Sequence, residues 1–305
     1  MGVDSQATGM QHLPPKTRTK RVVRRDRTRR RYSYGDVIRF VALCFGGIWM
    51  LLPLAWMITV ALKSNAEVFA IPPIWLPNQF HWQNFITGTE QINFWRVFLN
   101  SVIIAALHTV GAVGSSVIVG YGISRIRFPG RKLWFYLFIG SMMLPGVIGM
   151  IPMFHLYASI GWYNTWLPLI VPAFFGNPFF MFLARQYFST ISSSYDEAAK
   201  IDGANHWQIL TKILVPMSKP MIVTMVIFAF RGSWNDYLGP LIYLVNPKLW
   251  TLSVAMATYI GSYYTPWNLF MAADLIYMLP MVVVFFVAQK YFMQGLGTLN
   301  ASGLK

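Results

Sequence analysis

Five side chains in one apolar stretch of the sequence carry groups that can hydrogen-bond to a polar solute or pack against it. They stand within the apolar run 220–245 and are Arg231, Trp234, Asn235, Asp236 and Tyr237. A sugar offers an apolar C–H face to aromatic rings and a rim of hydroxyl groups to amides and charged groups. A charged group in the middle of a membrane helix costs about 2.5–3.5 kcal/mol on insertion scales, so it usually faces a bundle interior or an aqueous cavity. The cluster therefore predicts a substrate pathway for a sugar.

Two interpretations of the charged members of this cluster are open from the sequence. Arg231 and Asp236 can neutralise each other or pair with neighbouring helices, although helical neighbours fall three and four residues apart rather than five. Alternatively, Arg231 faces the pathway, where its planar guanidinium would match a carboxylate or a phosphate with two parallel hydrogen bonds. The second interpretation predicts an anionic substrate, such as a uronic-acid oligosaccharide or a sugar phosphate.

A polar segment after the fourth apolar run has the pattern of a helix, a break and a second helix. Ser194 and Glu197 fit the S-x-x-E capping box that opens a helix. Gly203 can adopt the left-handed backbone that ends one. Asn205 and Gln208 resemble a second cap, from which the next helix would start. The segment is therefore predicted to be a pair of short helices separated by a turn.

Such a helix pair, amphipathic and lying at a membrane face, has the shape of a docking element. The second helix is predicted to stop by Pro216, and the small Ala198 and Ala199 would let the backbone lie deep in a partner's cleft. A purely structural interpretation is also open. In that case Glu197 is only a helix cap, and Pro216 marks only the boundary of the next span.

Long apolar runs provide the elements that must position both groups of residues. Each run is close to or above the roughly 20 residues that an α-helix needs to cross a bilayer core. Helices are required because hydrocarbon offers no partner to unpaired backbone groups. The sequence therefore predicts an all-α integral membrane protein with six transmembrane helices and a cytoplasmic helical loop between the fourth and the fifth. The runs are 37–62, 97–123, 133–157, 166–188, 220–245 and 269–292.

The composition of the 305 residues agrees with a membrane protein and argues against a soluble one. Hydrophobic residues make up 55% of the chain, charged residues only 11%, and the mean hydropathy is +0.47. An ordinary soluble domain is about a quarter charged. The single cysteine, Cys44, lies inside an apolar run and allows no intramolecular disulfide.

Basic residues are concentrated on one side of the predicted spans. Ten of them precede the first span, against Asp4 and Asp26, and others follow the second and fourth spans. The loops on the other side hold only Lys63, Arg96 and Lys248. Because basic loops stay in the cytoplasm, both termini are predicted to be cytoplasmic. Anionic lipid headgroups account for the charge of the N-terminal arm, and no aromatic-rich module accompanies it to indicate nucleic-acid binding.

The polar segment resembles the "EAA" loop of binding-protein-dependent ABC importer permeases. The family pattern is E-A-A, three residues, G, nine residues and I-x-L-P, and here Val215 replaces the usual Leu. In that family the loop is a coupling helix that fits a groove on the ATPase subunit, so the resemblance implies that Glu197 pairs with a basic group there. The matching residues are Glu197, Ala198, Ala199, Gly203, Ile213 and Pro216.

Three further stretches are similar to the carbohydrate-importer branch of the same family, whose maltose-permease-type subunits have six spans. They are YGISRIRFPGR at 121–131, GSWNDYLGPL at 232–241 and QKYFMQGL at 289–296. Two features depart from the family. An apolar residue usually stands where this chain has Arg231, and the tail after Leu296 differs from the usual one, which in related transporters reaches the ATPase pair.

The resemblance implies a domain organisation and a set of partners. Residues 1–36 would be a basic cytoplasmic arm, 37–296 a six-span permease domain with its coupling loop at 190–216, and 297–305 a cytoplasmic tail. The partners would be an ABC ATPase dimer, a second homologous permease subunit and an extracytoplasmic sugar-binding protein, in a bacterial or archaeal cytoplasmic (inner) membrane. ATP and Mg²⁺ would be bound by the ATPase subunits, and the permease itself would need no cofactor.

Other functional classes fit the sequence less well. A phosphate-binding loop of the form G-x-x-x-x-G-K-[ST] does not occur in it, so this chain is not expected to hydrolyse ATP alone. Its five histidines are scattered singly and predict no metal site, and no charged constellation indicates a catalytic site. Two alternatives remain: the same importer class acting on a sugar phosphate or another polar solute, and a membrane scaffold or receptor, which would not explain the coupling pattern.

Overall fold

The computed structural model describes residues 34–261 and 264–302, with the side chains of residues up to 289. The proposed N-terminal arm up to residue 33 and the last three residues of the tail lie outside this part of the chain. Within it, all regular elements are helical. The α-helices are α1 Tyr34–Ala61, α2 Asn65–Val68, α3 Gln83–Gln91, α4 Phe94–Arg125, α5 Arg131–Ser141, α6 Met150–Ser159, α7 Leu167–Ile170, α8 Pro178–Thr190, α9 Ser194–Ile201, α10 His206–Gln208, α11 Val215–Met217, α12 Lys219–Trp234, α13 Leu238–Tyr243, α14 Leu252–Ala257 and α15 Trp267–Ser302.

Four helical stretches are individually long and apolar enough to cross a membrane, and the number rises to six if each of two bent pairs is one span. The single stretches are Tyr34–Ala61, Phe94–Arg125, Leu167–Thr190 and Trp267–Gln289. The prediction of an all-α membrane protein is confirmed. The chain divides into two compact units at Leu51, and the folded elements described below all belong to the second.

The third predicted span, 133–157, is not one straight helix. It consists of Arg131–Ser141 and Gly146–Ser159, whose axes differ by 94°. The break contains Pro145, which lacks a backbone N–H, followed by Gly146. A proline removes a helical hydrogen bond and clashes with the preceding turn, so it is a common cause of such breaks. The third predicted span is therefore bent at its internal proline, and it counts as one of six spans only if this bent pair crosses the membrane as a unit.

The fifth predicted span, 220–245, is also interrupted. Its helix α12 ends at Trp234, and α13 begins only at Leu238. At its other end, α12 is bent by 84° from the preceding helical stretch His206–Met217. The three residues between α12 and α13 belong to the polar cluster noted in the sequence, so the helix is interrupted where the polar side chains of the span are concentrated.

Helix α4 is the central element of the second unit. One buried cluster joins it to α8 and to α12, and a second joins it to α12, α14 and α15. Small residues permit the close approach, as is usual between membrane helices. A Cβ atom at Gly120 would lie 2.5 Å from the Cβ atom of Ala184 in α8, and one at Gly111 would lie 2.5 Å from the ring of Phe174. Helices α4 and α8 can therefore pack this closely only with glycine at position 120.

Candidate coupling loop and substrate pathway

The first half of the loop has the predicted helix and break, but not the predicted cap. Helix α9 spans Ser194–Ile201, and Gly203 has a φ of +81°, as its left-handed role requires. The prediction that Ser194 and Glu197 form a capping box is wrong. The helix is instead preceded by Ser193, which makes no side-chain cap, and the hydroxyl of Ser194 pairs with that of Ser192 at 2.8 Å. The carboxylate of Glu197 is thus left exposed to solvent.

The second half of the loop opens with the predicted cap. The side chain of Asn205 accepts a hydrogen bond from the backbone of Gln208 at 2.9 Å, and the backbone of Asn205 donates to the Gln208 side chain at 2.9 Å. The helix then passes through a π-helical stretch, Ile209–Leu214, and continues to Met217. It therefore runs past Pro216, where the sequence placed its end. Pro216 itself lies after the π-helical stretch, at the start of α11.

The six residues of the EAA pattern divide into an outward and an inward set. Glu197, Ala198, Gly203 and Pro216 are exposed. Ala199 is only 7% exposed and Ile213 packs against the same buried cluster, so both face the protein itself. The Ala199 side chain is therefore packed within this chain, and the entry of the loop backbone into a partner's cleft stays a prediction. A residue directly after Ala198 on a helix points about 100° away from it, which turns it toward the core.

An apolar stripe beside Glu197 was missed in the sequence. Tyr195 is 50% exposed, Ile201 is 87% exposed, and Trp207, at the start of the second helix, is 60% exposed. Tyr195, Ala198 and Ile201 stand three residues apart and so share one face of α9. This spacing could have revealed the stripe. Together with Glu197 these residues form the exposed face of the coupling loop, an apolar stripe that is flanked by the exposed charged residues Lys200 and Asp202.

The loop is fastened to the C-terminal end of α4 by an ion pair. The Arg125 Nε atom lies 3.3 Å from Asp196 Oδ2, and the two side chains are 11% and 10% exposed. Arg125 Nη2 also donates hydrogen bonds to the backbone oxygens of Phe188, at 2.9 Å, and Ile191, at 2.6 Å. One guanidinium thus holds three elements together: α4, the end of α8 and the start of α9.

A second contact supports the same connection. The hydroxyl of Tyr121, one turn before Arg125, lies 2.9 Å from His206 Nδ1 at the start of the second loop helix. Tyr121 is 5% exposed and packs in the cluster that includes Ala199. Both helices of the loop are therefore tied to α4. In the sequence, Tyr121 and Arg125 stand out only as part of the stretch 121–131 that resembles the carbohydrate-importer branch.

The structure separates the five residues proposed for the substrate pathway. Arg231 and Asn235 are exposed and line an open groove of about 490 Å³ together with Phe228 and Gly232. The Asn235 side chain donates to the Arg231 carbonyl oxygen at 3.1 Å and accepts from the Tyr277 hydroxyl at 3.1 Å. Arg231 makes no ion pair within the described part of the chain, so its guanidinium is available to the groove.

Trp234 does not face this groove. Its side chain is 1% exposed and stacks between Phe230 and Tyr277, with ring centroids 5.6 and 5.7 Å away. Phe98 of α4 meets it edge-on at 5.7 Å. The indole therefore belongs to the core that joins α4, α12 and α15. Tyr237, by contrast, is 43% exposed at the break after α12.

Asp236 points to a different cavity from Arg231. Together with His108 it lines a pocket of about 220 Å³ between α4, α7, α12 and α13. Its Oδ1 atom accepts a hydrogen bond from the backbone of Gly239 at 3.1 Å, and its carbonyl oxygen accepts one from Ser253. The interpretation in which Arg231 and Asp236 neutralise each other is therefore not what the structure shows. Asp236 instead caps the first turn of α13.

One family model and several known proteins match this chain over most of its length. The family described as "binding-protein-dependent transport system inner membrane component" matches residues 112–298. The chain is 32% identical over 281 residues to the probable ABC transporter permease protein YurM of Bacillus subtilis, covering 92% of this chain and 93% of that one. It is 28% identical over 256 residues to the diacetylchitobiose uptake system permease protein NgcG of Streptomyces coelicolor, covering 83% and 84%. A solved chain from a bacterial ABC transporter that imports the acidic polysaccharide alginate superposes with a TM-score of 0.75 at 25% identity, covering 86% of this chain and 99% of that one.

Proposed function

Because the chain belongs to the family of binding-protein-dependent transport system inner membrane components, we propose that it is the permease subunit through which an ATP-driven importer passes a sugar or oligosaccharide. The observation that carries this proposal is the exposed face of the coupling loop. It presents Glu197 and an apolar stripe outward while an ion pair fixes its inner side to α4. An exposed apolar patch rimmed by charged residues is typical of a surface that receives a protein partner.

The partner proposed for this face is an ABC ATPase dimer. The basic groove implied by the family resemblance would accept the Glu197 carboxylate, and the apolar groove walls would cover Tyr195, Ile201 and Trp207. ATP and Mg²⁺ would bind in those ATPase subunits, and this chain would contribute no catalytic residue. A second homologous permease subunit and an extracytoplasmic sugar-binding protein complete the proposed importer. The coupling loop and both termini would lie in the cytoplasm.

The substrate is proposed to be a carbohydrate, and an acidic one is favoured. Among similar proteins, one is named for diacetylchitobiose uptake and one belongs to a transporter of the acidic polysaccharide alginate. In this chain the guanidinium of Arg231 lies free in the groove beside the broken span. A guanidinium keeps its charge and presents a planar fork of donors, so in this position it would favour a carboxylate on the sugar. A sugar phosphate is the second candidate, since the same fork of donors matches a phosphate.

Co-purification tests the proposed partner. The full-length chain, expressed with the other genes of its importer and solubilised in mild detergent, should retain an ATPase subunit. Glu197→Lys should release that subunit, while Glu90→Lys, an equal charge change on an exposed helix at the other end of α4, should not. Absence of an ATPase from the wild-type preparation, or its equal retention in both variants, would contradict the proposed coupling role.

A further inference from the structure

A pocket lies at the N-terminal end of α4, opposite to the coupling loop. It has a volume of about 350 Å³ and is walled by the first turn of α4 and the segment 247–250. Arg96 and Arg125 are 29 residues apart on this helix, so the pocket lies roughly 40 Å from the ion pair that fastens the loop. If the coupling loop is cytoplasmic, as proposed above, the pocket opens on the external side.

Two cations line this pocket, and none of the ten residues described around it is acidic. They are Arg96 and Lys248, which are both exposed and make no ion pair within the described chain. The third basic residue of the external loops, Lys63, is already engaged. Its ammonium donates to the Ile74 carbonyl and lies 4.4 Å above the ring of Trp56. Both basic residues that the external loops leave free therefore converge on one cavity.

The segment that carries Lys248 is held firmly by neighbouring side chains. Asn100 of α4 is 7% exposed and donates hydrogen bonds to the carbonyl oxygens of Lys248, at 3.0 Å, and Trp250, at 2.9 Å. The indole of Trp166 donates to Leu249 at 3.0 Å. Because the backbone is fixed from two sides, the base of the lysine side chain is already in place before a ligand binds. Such preorganisation reduces the entropy lost on binding.

The remaining lining groups suit a sugar rather than a bare ion. Trp250 lies in the wall, and its Nε1 atom donates to Leu244 at 3.1 Å, which fixes the orientation of the ring. Gln91, Asn93 and Thr258 add amide and hydroxyl groups. The volume falls within the roughly 300–1,000 Å³ of small-molecule sites. An aromatic wall, neutral hydrogen-bonding groups and two cations are together complementary to a sugar ring that carries a carboxylate or a phosphate.

We propose that this pocket is an external subsite that binds the anionic group of an acidic sugar between Arg96 and Lys248. The proposal rests on the import function inferred above and adds a binding site distinct from the groove at Arg231. The two cations would attract an acidic substrate to the external mouth of the permease, and Trp250 would select a ring-bearing anion over a small inorganic one.

The test measures binding of D-glucuronate to the full-length chain, purified with its partner subunits and placed in nanodiscs of phosphatidylcholine. Wild type should bind glucuronate saturably and should not bind glucose in the same range. The double variant that combines Arg96→Gln and Lys248→Gln should have a half-saturating glucuronate concentration about tenfold higher. The matched control is Arg127→Gln with Lys132→Gln, which removes the same two residue types from exposed positions at the other end of α4 and should leave binding unchanged.

Three outcomes would overturn the proposal. An undiminished affinity in the Arg96 and Lys248 double variant, or no saturable glucuronate binding by wild type, removes the subsite. Loss of glucuronate binding when phosphatidylglycerol is added to the nanodiscs would assign the pocket to a lipid phosphate instead of a sugar. ATPase activity of the same preparation is measured in parallel. If this ATPase activity is absent while glucuronate binding stays intact and charge-dependent, the proposed import function is refuted, whereas the proposed pocket is not.

Discussion

Asp196 and Glu197 are consecutive carboxylates that face different surroundings. Asp196 turns inward to Arg125, at 10% exposure, whereas Glu197 stays in solvent beside the apolar stripe. The sequence pattern identified Glu197 because its spacing to Gly203 matches a family motif. It could not identify Asp196, since the role of that residue depends on an arginine 71 positions earlier in the chain. The inner carboxylate fixes the loop in place, and the outer one is available to a partner.

The ion pair supports a first prediction. Arg125→Ala should lower the stability of the chain by about 3 kcal/mol, because it leaves the Asp196 carboxylate buried without its partner and frees two carbonyl oxygens. It should also reduce substrate-stimulated ATP hydrolysis by the complex. Arg127→Ala, an exposed arginine two residues further on, should change stability by less than about 0.5 kcal/mol. Thermal unfolding in detergent measures both variants, and equal stabilities would show that the ion pair contributes nothing.

The glycine of the loop supports a second prediction. At a φ of +81°, a Cβ atom on residue 203 would meet nothing within 4 Å, so any penalty is conformational and not steric crowding. A left-handed backbone costs an L-residue roughly 1–2 kcal/mol, and asparagine tolerates it best. Gly203→Val should therefore abolish substrate-stimulated ATP hydrolysis in an inserted protein, while Gly203→Asn should keep most of it. Loss of activity to the same degree in both variants would mean that the left-handed turn is not what the glycine provides.

At the scale of the elements, hydrophobic runs located the spans but not their breaks. The runs 97–123 and 269–292 correspond to the long helices α4 and α15. The third and fifth runs are broken where proline and local packing remove backbone hydrogen bonds. A hydropathy window averages over such local changes. The cluster at 231–237 was likewise found by residue type. The structure distributes these side chains between a groove, the core and a second cavity because α12 ends at Trp234. The sequence periodicity did not show this helix end.

The contact between α4 and α8 supports a third prediction. Gly120→Ala places a methyl group 2.5 Å from the Cβ atom of Ala184, so the helices must move apart, at a cost of about 1–3 kcal/mol. Gly114→Ala, on the same helix, meets nothing within 4 Å and should be neutral or stabilising by up to about 1 kcal/mol through helix propensity. Circular dichroism during thermal unfolding in detergent compares the two. A Gly120→Ala protein as stable as Gly114→Ala would contradict the close packing.

At the scale of the whole molecule, the coupling loop and the pocket lined by Arg96 and Lys248 lie at opposite ends of helix α4, and the groove at Arg231 lies beside the break in the fifth predicted span. The basic pocket at the start of α4 and the coupling loop at its end are tied to the same 32-residue element. The domain organisation of arm, permease domain and tail stays a prediction, since the arm up to residue 33 lies outside the described residues.

The charge of Arg231 supports a fourth prediction, about the substrate. In vesicles that contain the reconstituted importer, Arg231→Leu should reduce uptake of a uronic-acid trisaccharide by about tenfold, as expected for loss of one charge-assisted hydrogen-bonded contact. Uptake of a neutral trisaccharide of equal length should stay unchanged. Equal loss of both substrates would make Arg231 structural, and unchanged uptake of both would remove it from the pathway.

Site-specific cross-linking tests the central claim, that the exposed face of the coupling loop receives an ATPase. The only cysteine, Cys44, is replaced by serine, and a single cysteine is introduced at Ala198, which is exposed beside Glu197. A short thiol-reactive photo-cross-linker at this position should join the chain to the ATPase subunit in membranes. The same reagent at Thr87, exposed in α3 beyond the other end of α4, should not. A covalent product from position 198 alone is the result that the account predicts. No product from position 198, in membranes where the ATPase subunit is present, would contradict it.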